Sequence, residues 1–212
     1  MARRNPCAPL HAEGPVRITG GTMRGRTLAA PADSRVRPTS DKVRQAIFNI
    51  LQHKDFGAGF ALEGAAVCDL FAGTGALGIE ALSHGARFAL LVDDSAESRA
   101  LIRTNVEALG LTGVTKIWRR DATNLGPLAA GSGGPFDLAF LDPPYRQNLV
   151  APALAALRDG AWLAPGALAV VETAEDEDIP STDGFHLSDE RVYGDTRVAF
   201  FVFDQSELSA SS

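Results

Sequence analysis

The 212-residue sequence is poor in cysteine and histidine, which argues against two classes of protein. Its two cysteines, Cys7 and Cys68, are too few for a disulfide framework and indicate a reducing compartment. The four histidines are scattered along the chain without the spacing of a metal site. The sequence therefore predicts neither a structural disulfide nor a metal cofactor.

Long apolar runs are absent as well. No segment approaches the roughly 18 consecutive apolar residues that a membrane span requires. Arg3 and Arg4 precede a polar stretch with two prolines, rather than the apolar core of a signal peptide. We therefore expect a soluble, cytoplasmic protein without a membrane partner, and we take a monomer as its default state.

Positive charge is scarce overall but concentrated near the start of the chain. The net charge of −6 argues against a polyanionic ligand if it is averaged over the molecule. Residues 1–60, however, contain ten Lys and Arg residues and four Asp and Glu residues. The remaining 152 residues contain ten Lys and Arg residues and 22 Asp and Glu residues. This distribution is typical of a basic interaction arm joined to an acidic body, although a chance excess of arginine on a solvated face remains the alternative.

The length fits one α/β domain with flanking segments. We predict a mobile leader over 1–15, a hairpin and helix extension over 16–60, the main domain over 61–205 and a frayed tail over 206–212. In the extension, alternating apolar residues on both sides of Gly20-Gly21 predict a small β-hairpin over 16–28. Ser40 can cap a helix that ends near Gln52.

Strands and helices alternate through the rest of the chain, which predicts a mainly parallel sheet with right-handed crossovers. The apolar runs predict strands over 65–71, 87–93, 114–119, 136–141, 167–172 and 196–203, with an uncertain strand near 186–193. Helical patterns cover 76–84, 95–109 and 149–158. The segment 126–135 is rich in glycine and proline, so a helix there is expected to be short or weak.

A glycine-rich turn, Asp69-Leu70-Phe71-Ala72-Gly73-Thr74-Gly75, joins the first strand of the main domain to a helix. Glycines let the backbone approach a ligand closely, with N–H groups of the next helix facing it. Residues 73–78 also match the dinucleotide pattern G-x-G-x-x-G, so the turn alone does not separate NAD from other nucleosides. Asp93 ends the next strand, where a carboxylate can accept both ribose hydroxyls, and its neighbour Asp94 is the alternative. Asp121 follows the third strand, where an adenine ring would lie.

The segment Asp142-Pro143-Pro144-Tyr145 follows directly after the predicted strand 136–141. Two consecutive prolines stiffen the backbone, so they can aim the Asp142 carboxylate and the Pro143 carbonyl at one point. Two acceptors at one point suit an amino group with two protons. Tyr145 offers a flat face on which an extruded base can stack. Taken in isolation, the segment also fits a simple turn.

Together these motifs resemble known enzymes. Asp69–Gly75 with Asp93 and Asp121 resembles the cofactor site of class I S-adenosylmethionine-dependent methyltransferases, and Asp142–Tyr145 resembles the (Asp/Asn)-Pro-Pro-(Tyr/Phe) motif of their amino-group methylating branch. Further upstream, the chain is similar to the N-terminal signature of the RsmD-type enzymes, which are bacterial 16S rRNA guanine-N2 methyltransferases. The matching segments are Arg17-Ile18-Thr19-Gly20-Gly21, Arg24-Gly25-Arg26, Arg37-Pro38-Thr39-Ser40-Asp41-Lys42-Val43-Arg44 and Phe48-Asn49. The resemblance covers residues 16–205, and Asp93 departs from it because such enzymes often carry Glu there.

The resemblance implies a class I methyltransferase (Rossmann-like) sandwich with a mainly parallel seven-stranded sheet, one antiparallel strand and an N-terminal β-hairpin extension. It also implies that the extension over 16–60 binds RNA. It implies S-adenosylmethionine as cofactor, with no metal. The cofactor-binding residues would be Asp69, Phe71, Gly73, Thr74, Gly75, Asp93, Asp121, Ala122 and Thr39. The catalytic residues would be Asp142, Pro143 and Tyr145.

The implied substrate is the N2 amine of a single guanine, conventionally position 966 of 16S rRNA, in the small ribosomal subunit or its assembly intermediate. We assign phosphate contacts to Arg17, Arg24, Arg26, Arg37, Lys42, Arg44 and Arg146. Because this basic footprint is small, we expect weak affinity for naked RNA, with ribosomal proteins supplying part of the docking surface.

Three other functions remain open at this point. An amino-group methyltransferase acting on adenine N6 or on a protein glutamine would share the Asp142–Tyr145 motif, although the basic extension favours nucleic acid. An NAD-dependent oxidoreductase would use the glycine pattern and leave Asp142–Tyr145 unexplained. A non-catalytic RNA-binding assembly factor would keep the basic arm and would not need Asp142–Tyr145.

Overall fold

A computed structural model describes residues 16–31, 40–57 and 59–205. The predicted leader and tail, together with Arg37 and Thr39, lie outside these described residues. Within them, none of the helices combines the length and the apolar character needed to cross a bilayer.

The described chain alternates strands with helices, as its apolar pattern predicts. The strands are β1 (Ala66–Leu70), β2 (Phe88–Val92), β3 (Thr115–Trp118), β4 (Phe136–Leu141), β5 (Leu163–Ala174), β6 (Phe185–Tyr193) and β7 (Thr196–Phe203). The helices are α1 (Asp41–His53), α2 (Ala76–Ser83), α3 (Ala96–Ala108) and α4 (Val150–Asp159). The predicted strand 167–172 is too short, since β5 extends beyond it at both ends, and the uncertain strand near 186–193 exists as β6.

The seven strands form one sheet in the order β3-β2-β1-β4-β5-β7-β6. Strand β7 runs antiparallel to both of its neighbours, and the other pairs are parallel. The predicted sheet with one antiparallel strand is therefore confirmed. The chain order reverses between β1 and β4, and ligands of open α/β sheets bind outside the carboxyl ends of the strands at such a point.

Apolar side chains cover both faces of the sheet, because successive residues of a strand point to opposite faces. On one face, Val67 and Phe140 pack with α1, α2 and α3, and on the other, Cys68 and Leu141 pack with α4. Val16, Ile18 and Leu28 of the N-terminal extension are buried in the first of these clusters. The extension therefore shares its core with the main domain.

The predicted hairpin over 16–28 forms, with less regular pairing than a β-ladder. Ile18 N donates to Arg26 O and Leu28 N donates to Val16 O, but the reversal is a 3₁₀ turn over Gly21–Met23 rather than a two-residue turn at Gly20-Gly21. The cause lies in α2, where Ser83 Oγ donates to Gly20 O at 2.6 Å and accepts from Met23 N at 2.9 Å. A side chain at Gly21 would overlap this helix, because its Cβ would lie 1.9 Å from Ser83 O.

Candidate active site

The glycine-rich turn lies at the carboxyl end of β1, at the point where the strand order reverses. Gly73 and Gly75 have φ angles of 55° and 79°, which glycine adopts without strain, whereas Phe71 holds a φ of 58° that a residue with a side chain rarely adopts. Gly75 is the N-cap of α2, so the first N–H groups of that helix are presented at this edge of the sheet. The geometry has the features of an anion- or nucleoside-binding turn.

Asp69 lies beneath this turn and is buried. Its Oδ2 accepts a hydrogen bond from Gly78 N at 2.9 Å, whereas Oδ1 is buried without a hydrogen-bond partner among the described residues. Burial, assisted by the charge of Asp93 and opposed by the Gly78 hydrogen bond, raises the pKa of Asp69 to about 7. A carboxylate oxygen held in this way fits a ligand that carries an N–H group or a positive charge.

The third glycine of the dinucleotide pattern serves packing. A Cβ at Gly78 would lie 2.4 Å from Cδ2 of Leu91 on β2 and 3.2 Å from the Asp69 carboxylate. Gly78 therefore allows α2 to approach the sheet closely enough for its N–H to reach Asp69. Because this packing role is independent of the ligand, the pattern G-x-G-x-x-G does not by itself identify NAD.

Asp93, directly after β2, contacts the glycine-rich turn. Its Oδ2 accepts from Gly73 N at 2.9 Å, and its Oδ1 accepts from Ser95 N at 2.8 Å. Asp94 is exposed, and the side chain that caps α3 is that of Ser95. Asp93 is therefore the acid of the pair that the fold joins to the turn.

Asp121 follows β3 and holds its own loop. Its Oδ1 accepts from the hydroxyl of Thr123 at 2.7 Å and from Thr123 N at 2.8 Å, and these hydrogen bonds lower the pKa of Asp121. Ala122 is buried in the adjacent core, which fixes the position of the loop. The expected adenine contact of this loop stays a prediction.

The segment Asp142–Tyr145 follows β4 at the same edge of the sheet. Because Leu141 of β4 pairs in register with Leu70 of β1, Asp142 and Phe71 leave the sheet side by side. Asp142 is half-buried and Pro143 is buried, so the stiff turn is anchored. The fold thus brings the two strongest sequence motifs together.

Two residues that the sequence analysis missed orient Tyr145. Its hydroxyl donates to Glu172 Oε1 at 3.0 Å and lies 3.3 Å from Thr196 Oγ1. Burial and the negative charge of Glu172 raise the pKa of Tyr145, so the phenol remains a neutral donor. The signal for Glu172 was a single acid inside the apolar run of β5, whereas Thr196 is positioned by the pairing of β7 with β5.

The predicted phosphate contact of Arg44 is wrong. Its side chain is buried, with Nε donating to Glu80 Oε2 at 3.2 Å and Nη2 donating to the Arg17 carbonyl and to Asp41. Glu80 on α2 also accepts from Thr19 N at 2.8 Å and from Gly20 N at 2.7 Å. Arg44 therefore neutralises a buried acid that anchors the hairpin.

The remaining cations assigned to RNA that the structure describes lie at the surface. Arg17, Arg24, Arg26 and Lys42 are exposed, and Arg26 Nη2 donates to Ala108 O at 3.2 Å. Arg146 is also exposed, with Nη2 2.9 Å from an Asp176 carboxylate oxygen. The RNA contacts of these residues stay predictions.

Comparison with known proteins identifies the family. The family model described as conserved hypothetical protein 95 matches residues 16–202. The chain belongs to this family. It is 36% identical over 200 residues to the Ribosomal RNA small subunit methyltransferase D of Escherichia coli strain K12, covering 93% of this chain and 94% of that protein. The relationship to the RsmD-type enzymes that the motifs indicate is therefore confirmed.

Solved structures confirm the fold of this member of the conserved hypothetical protein 95 family. The E. coli protein yhhF superimposes with a TM-score of 0.75 at 29% identity, covering 91% of this chain and 100% of that one. An RNA methyltransferase from Salinibacter ruber, solved with S-adenosyl-L-homocysteine, has a TM-score of 0.57 at 16% identity and shows likeness of fold alone. The predicted class I methyltransferase fold is thus confirmed.

The residues of this site fit S-adenosylmethionine. The buried Asp69 Oδ1 lacks a partner within the described ranges, the space beside Gly73 is open because a Cβ there would meet only Phe71 O at 3.9 Å, and Asp93 accepts a hydrogen bond from Gly73 N. In S-adenosylmethionine, Asp69 would bind the ammonium group, the space beside the turn would take the methionine chain, and Asp93 would accept hydrogen bonds from the ribose. As for metals, the described ranges contain no group of three or more His, Cys, Asp or Glu side chains that could hold an ion.

Proposed function

We propose that this protein methylates ribosomal RNA with S-adenosylmethionine, and that its target is the exocyclic N2 amine of a single guanine of 16S rRNA. The observation that carries the proposal is the placement of Asp142–Tyr145 beside the glycine-rich turn, at the edge where β1 and β4 end. The name of the E. coli relative supports methylation of small-subunit rRNA. The choice of the guanine N2 amine rests on the Asp142–Tyr145 motif and on the basic extension.

Methylation of the guanine N2 amine requires activation of a weak nucleophile. S-adenosylmethionine supplies a methyl group on a positively charged sulfur, whereas the lone pair of the guanine amine is delocalised into its ring. The Asp142 carboxylate and the Pro143 carbonyl would each accept a hydrogen bond from the amine. These bonds draw the nitrogen toward a tetrahedral shape and localise its lone pair, so positioning and electrostatics supply most of the rate. Asp142 is also the acceptor for the proton that the nitrogen sheds after transfer.

Tyr145 would hold the base in line with the methyl group. Its ring offers the stacking face, and its hydroxyl is tied to Glu172 and Thr196. Because two elements, β5 and β7, fix the ring, the base would meet a surface that is already oriented before the RNA arrives.

The substrate would be 16S rRNA in the small ribosomal subunit or its assembly intermediate, bound by a monomer in the cytoplasm. Arg17, Arg24, Arg26 and Lys42 would contact phosphates, and ribosomal proteins would complete the docking surface. Arg37 belongs to the same proposal and lies in the part of the chain that the structure does not describe.

Mass-spectrometric mapping of 16S rRNA from a strain that lacks this protein tests the target. We expect the loss of one N2-methylguanosine, restored by the wild-type protein and not by Asp142→Ala. Loss of an N6-methyladenosine would instead assign the activity to adenine, and an unchanged 16S rRNA would contradict the proposal. As a control, Asp142→Ala should bind S-adenosylhomocysteine with near wild-type affinity, because its defect is expected in the transfer step.

Calorimetry with the isolated protein tests the cofactor. We expect S-adenosylhomocysteine to bind and NAD to give no heat of binding, because the relationship to a ribosomal RNA methyltransferase favours the methyl donor where the glycine pattern leaves both open. Binding of NAD without binding of S-adenosylhomocysteine would favour an oxidoreductase and refute the proposal.

A further inference from the structure

Asn105 of α3 joins the N-terminal extension to the glycine-rich turn. Its Nδ2 donates to Thr74 O at 2.9 Å and to Ala29 O at 3.1 Å, and its Oδ1 accepts from Ala29 N at 2.7 Å. The side chain is buried, with 2% of its surface exposed. A single amide thus binds the main chain of two segments that lie 45 positions apart in the sequence.

The orientation of the Thr74 carbonyl affects the shape of the glycine-rich turn. Thr74 lies between Gly73 and Gly75, which both have positive φ angles, and Gly75 N closes the turn by donating to Ala72 O at 2.6 Å. The direction of the Thr74 carbonyl sets the orientation of the peptide that precedes α2, because a peptide unit is planar. Asp93 holds the turn at Gly73 N, and Asn105 holds it at Thr74 O.

Ala29 lies at the end of the hairpin, where its residue surface is exposed and its main chain is held by Asn105. It follows Leu28, which is buried in the core and hydrogen-bonded to Val16 O. The opposite end of the hairpin is held on α2 by Glu80 and Ser83. The hairpin is therefore hydrogen-bonded to the main domain at both of its ends, which gives its displacement a direct route to Asn105.

We propose that Asn105 is a positioning residue that couples the binding of RNA on the extension to the binding of cofactor at the glycine-rich turn. The inference rests on the proposed function. Coupling of this kind is reciprocal, so cofactor tightens RNA binding by the same factor by which RNA tightens cofactor binding. Asparagine suits this role because its amide donates to both carbonyls while its oxygen accepts from Ala29 N.

Asn105→Asp is the sharpest variant. Its carboxylate can still accept from Ala29 N, but it cannot donate to Thr74 O, so the link to the turn is cut while a contact with the extension remains. Thr104→Val is the matched control, since the Thr104 hydroxyl is exposed and bonds to Ala100 O of its own helix. Asn105→Ala is a second, uncharged variant in case the aspartate prevents folding, which circular dichroism would detect.

The first measurement uses the protein alone and follows hydrogen exchange of the Ala29 amide by NMR, with and without saturating S-adenosylhomocysteine. In the wild type and in Thr104→Val, the ligand should slow this exchange. In Asn105→Asp the ligand should bind, yet leave the exchange at Ala29 unchanged. A ligand effect of wild-type size in both Asn105 variants, or none in the wild type, would overturn the proposal.

The second measurement compares the affinity for unmethylated small ribosomal subunits with and without S-adenosylhomocysteine. In the wild type we expect a tightening of about fivefold or more, the lower end of typical coupling between sites, and in the Asn105 variants a change of less than about twofold. If the wild type binds both ligands without coupling, this inference fails and the proposed function stands. If it binds neither, the proposed function itself fails.

Discussion

At the scale of single residues, the site depends on a carboxylate that is costly to keep charged. Asp69 is buried beneath the glycine-rich turn, and burial raises its pKa to about 7. A ligand with an ammonium group favours the ionised form and therefore lowers this pKa on binding. Binding then releases a proton in the pH range between this lowered pKa and about 7, which ties cofactor affinity to pH.

We therefore predict that affinity for S-adenosylhomocysteine increases with pH up to about 7 and then levels off. The slope below that point is at most about tenfold per pH unit, because one proton is exchanged. Calorimetry between about pH 5.5 and 8.5 in two buffers of different ionisation enthalpy would measure both the affinity and the proton release. Asp69→Asn, which cannot ionise, should bind with a flat profile, and a flat profile in the wild type would contradict the assignment.

Tyr145 contributes a stacking face and a hydroxyl group, and substitutions can separate the two contributions. Tyr145→Phe keeps the stacking face and removes the hydrogen bond to Glu172, so kcat/KM should fall about tenfold, in keeping with about 1.5 kcal/mol for a hydrogen bond to a charged group. Tyr145→Ala removes the ring as well, so kcat/KM should fall by about a further tenfold or more, in line with about 1–3 kcal/mol for stacking of one base. Transfer of labelled methyl groups to small subunits is the measurement.

The double variant tests whether Glu172 acts through Tyr145. Glu172→Gln should lower kcat/KM in the wild-type background and add little in the Tyr145→Phe background, because the shared hydrogen bond is then already absent. Additive effects of the two changes would show that Glu172 acts independently of the ring. Cofactor affinity should be unchanged in each variant.

At the scale of elements, a buried ion pair attaches the extension to the main domain. Glu80 of α2 and Arg44 of α1 are both buried, and Glu80 also accepts from Thr19 N and Gly20 N. Burial disfavours the charged form of Glu80, but hydrogen bonds from His84 and Thr19 and the charge of Arg44 outweigh it and lower the pKa of Glu80. The anchoring acid is therefore ionised at neutral pH.

Glu80→Ala should destabilise the protein by about 3–5 kcal/mol, since it leaves Arg44 as a buried charge without its main partner. Urea denaturation followed by circular dichroism measures this free energy of unfolding. Lys42→Ala, an exposed change in the same helix as Arg44, should stay within about 0.5 kcal/mol. A loss of stability below about 1 kcal/mol in Glu80→Ala would mean that the pair does not anchor the extension.

The exposed arginines of the hairpin allow a test of whether this element binds RNA. Arg24→Glu combined with Arg26→Glu should weaken binding to small subunits. The slope of log affinity against log salt should also fall, by about 0.9 or less for each phosphate that is no longer neutralised. Affinity for S-adenosylhomocysteine should not change, because neither side chain contacts the glycine-rich turn. An unchanged affinity for subunits would remove the hairpin from the RNA interface.

At the scale of the whole molecule, some of the cations that the sequence assigns to a basic surface are paired with acids of the protein itself. Arg44 is buried, and Lys54 forms a salt bridge with Asp189 at 2.9 Å. Among the described residues 16–31 and 40–57, two of the six cations are therefore paired with acids of the protein itself. This pairing strengthens the expectation that naked RNA binds weakly.

We predict that unmethylated small subunits or assembly intermediates bind about tenfold or more tightly than protein-free 16S rRNA, which corresponds to about 1.4 kcal/mol. The reason is that part of the docking surface would come from ribosomal proteins. Filter binding of both substrates at one fixed salt concentration measures the ratio. Equal affinities would indicate that RNA alone provides the binding surface.

Local sequence pattern was sufficient to place most of the strands, the helices and both motifs. Apolar periodicity marked β4 and β7 at their observed bounds, and the glycine and proline motifs had to fall at strand ends because their backbones cannot continue a strand or helix. These signals are local, since they depend on the conformation of a few neighbouring residues. Family resemblance added the expectation of one antiparallel strand, without saying which, and the identity of the cofactor.

The pairing of polar side chains across elements, by contrast, became visible only in the folded chain. Arg44 lies off the apolar stripe of α1, which Val43, Ile47 and Leu51 form, so periodicity predicts an exposed side chain. It is buried instead, because it pairs with the buried carboxylate of Glu80, 36 positions away. Asn105 and Glu172 carry no local signal of their partners, and β6 was uncertain because an edge strand with few buried residues shows little apolar pattern. Such pairings depend on distances through space, which neither composition nor periodicity encodes.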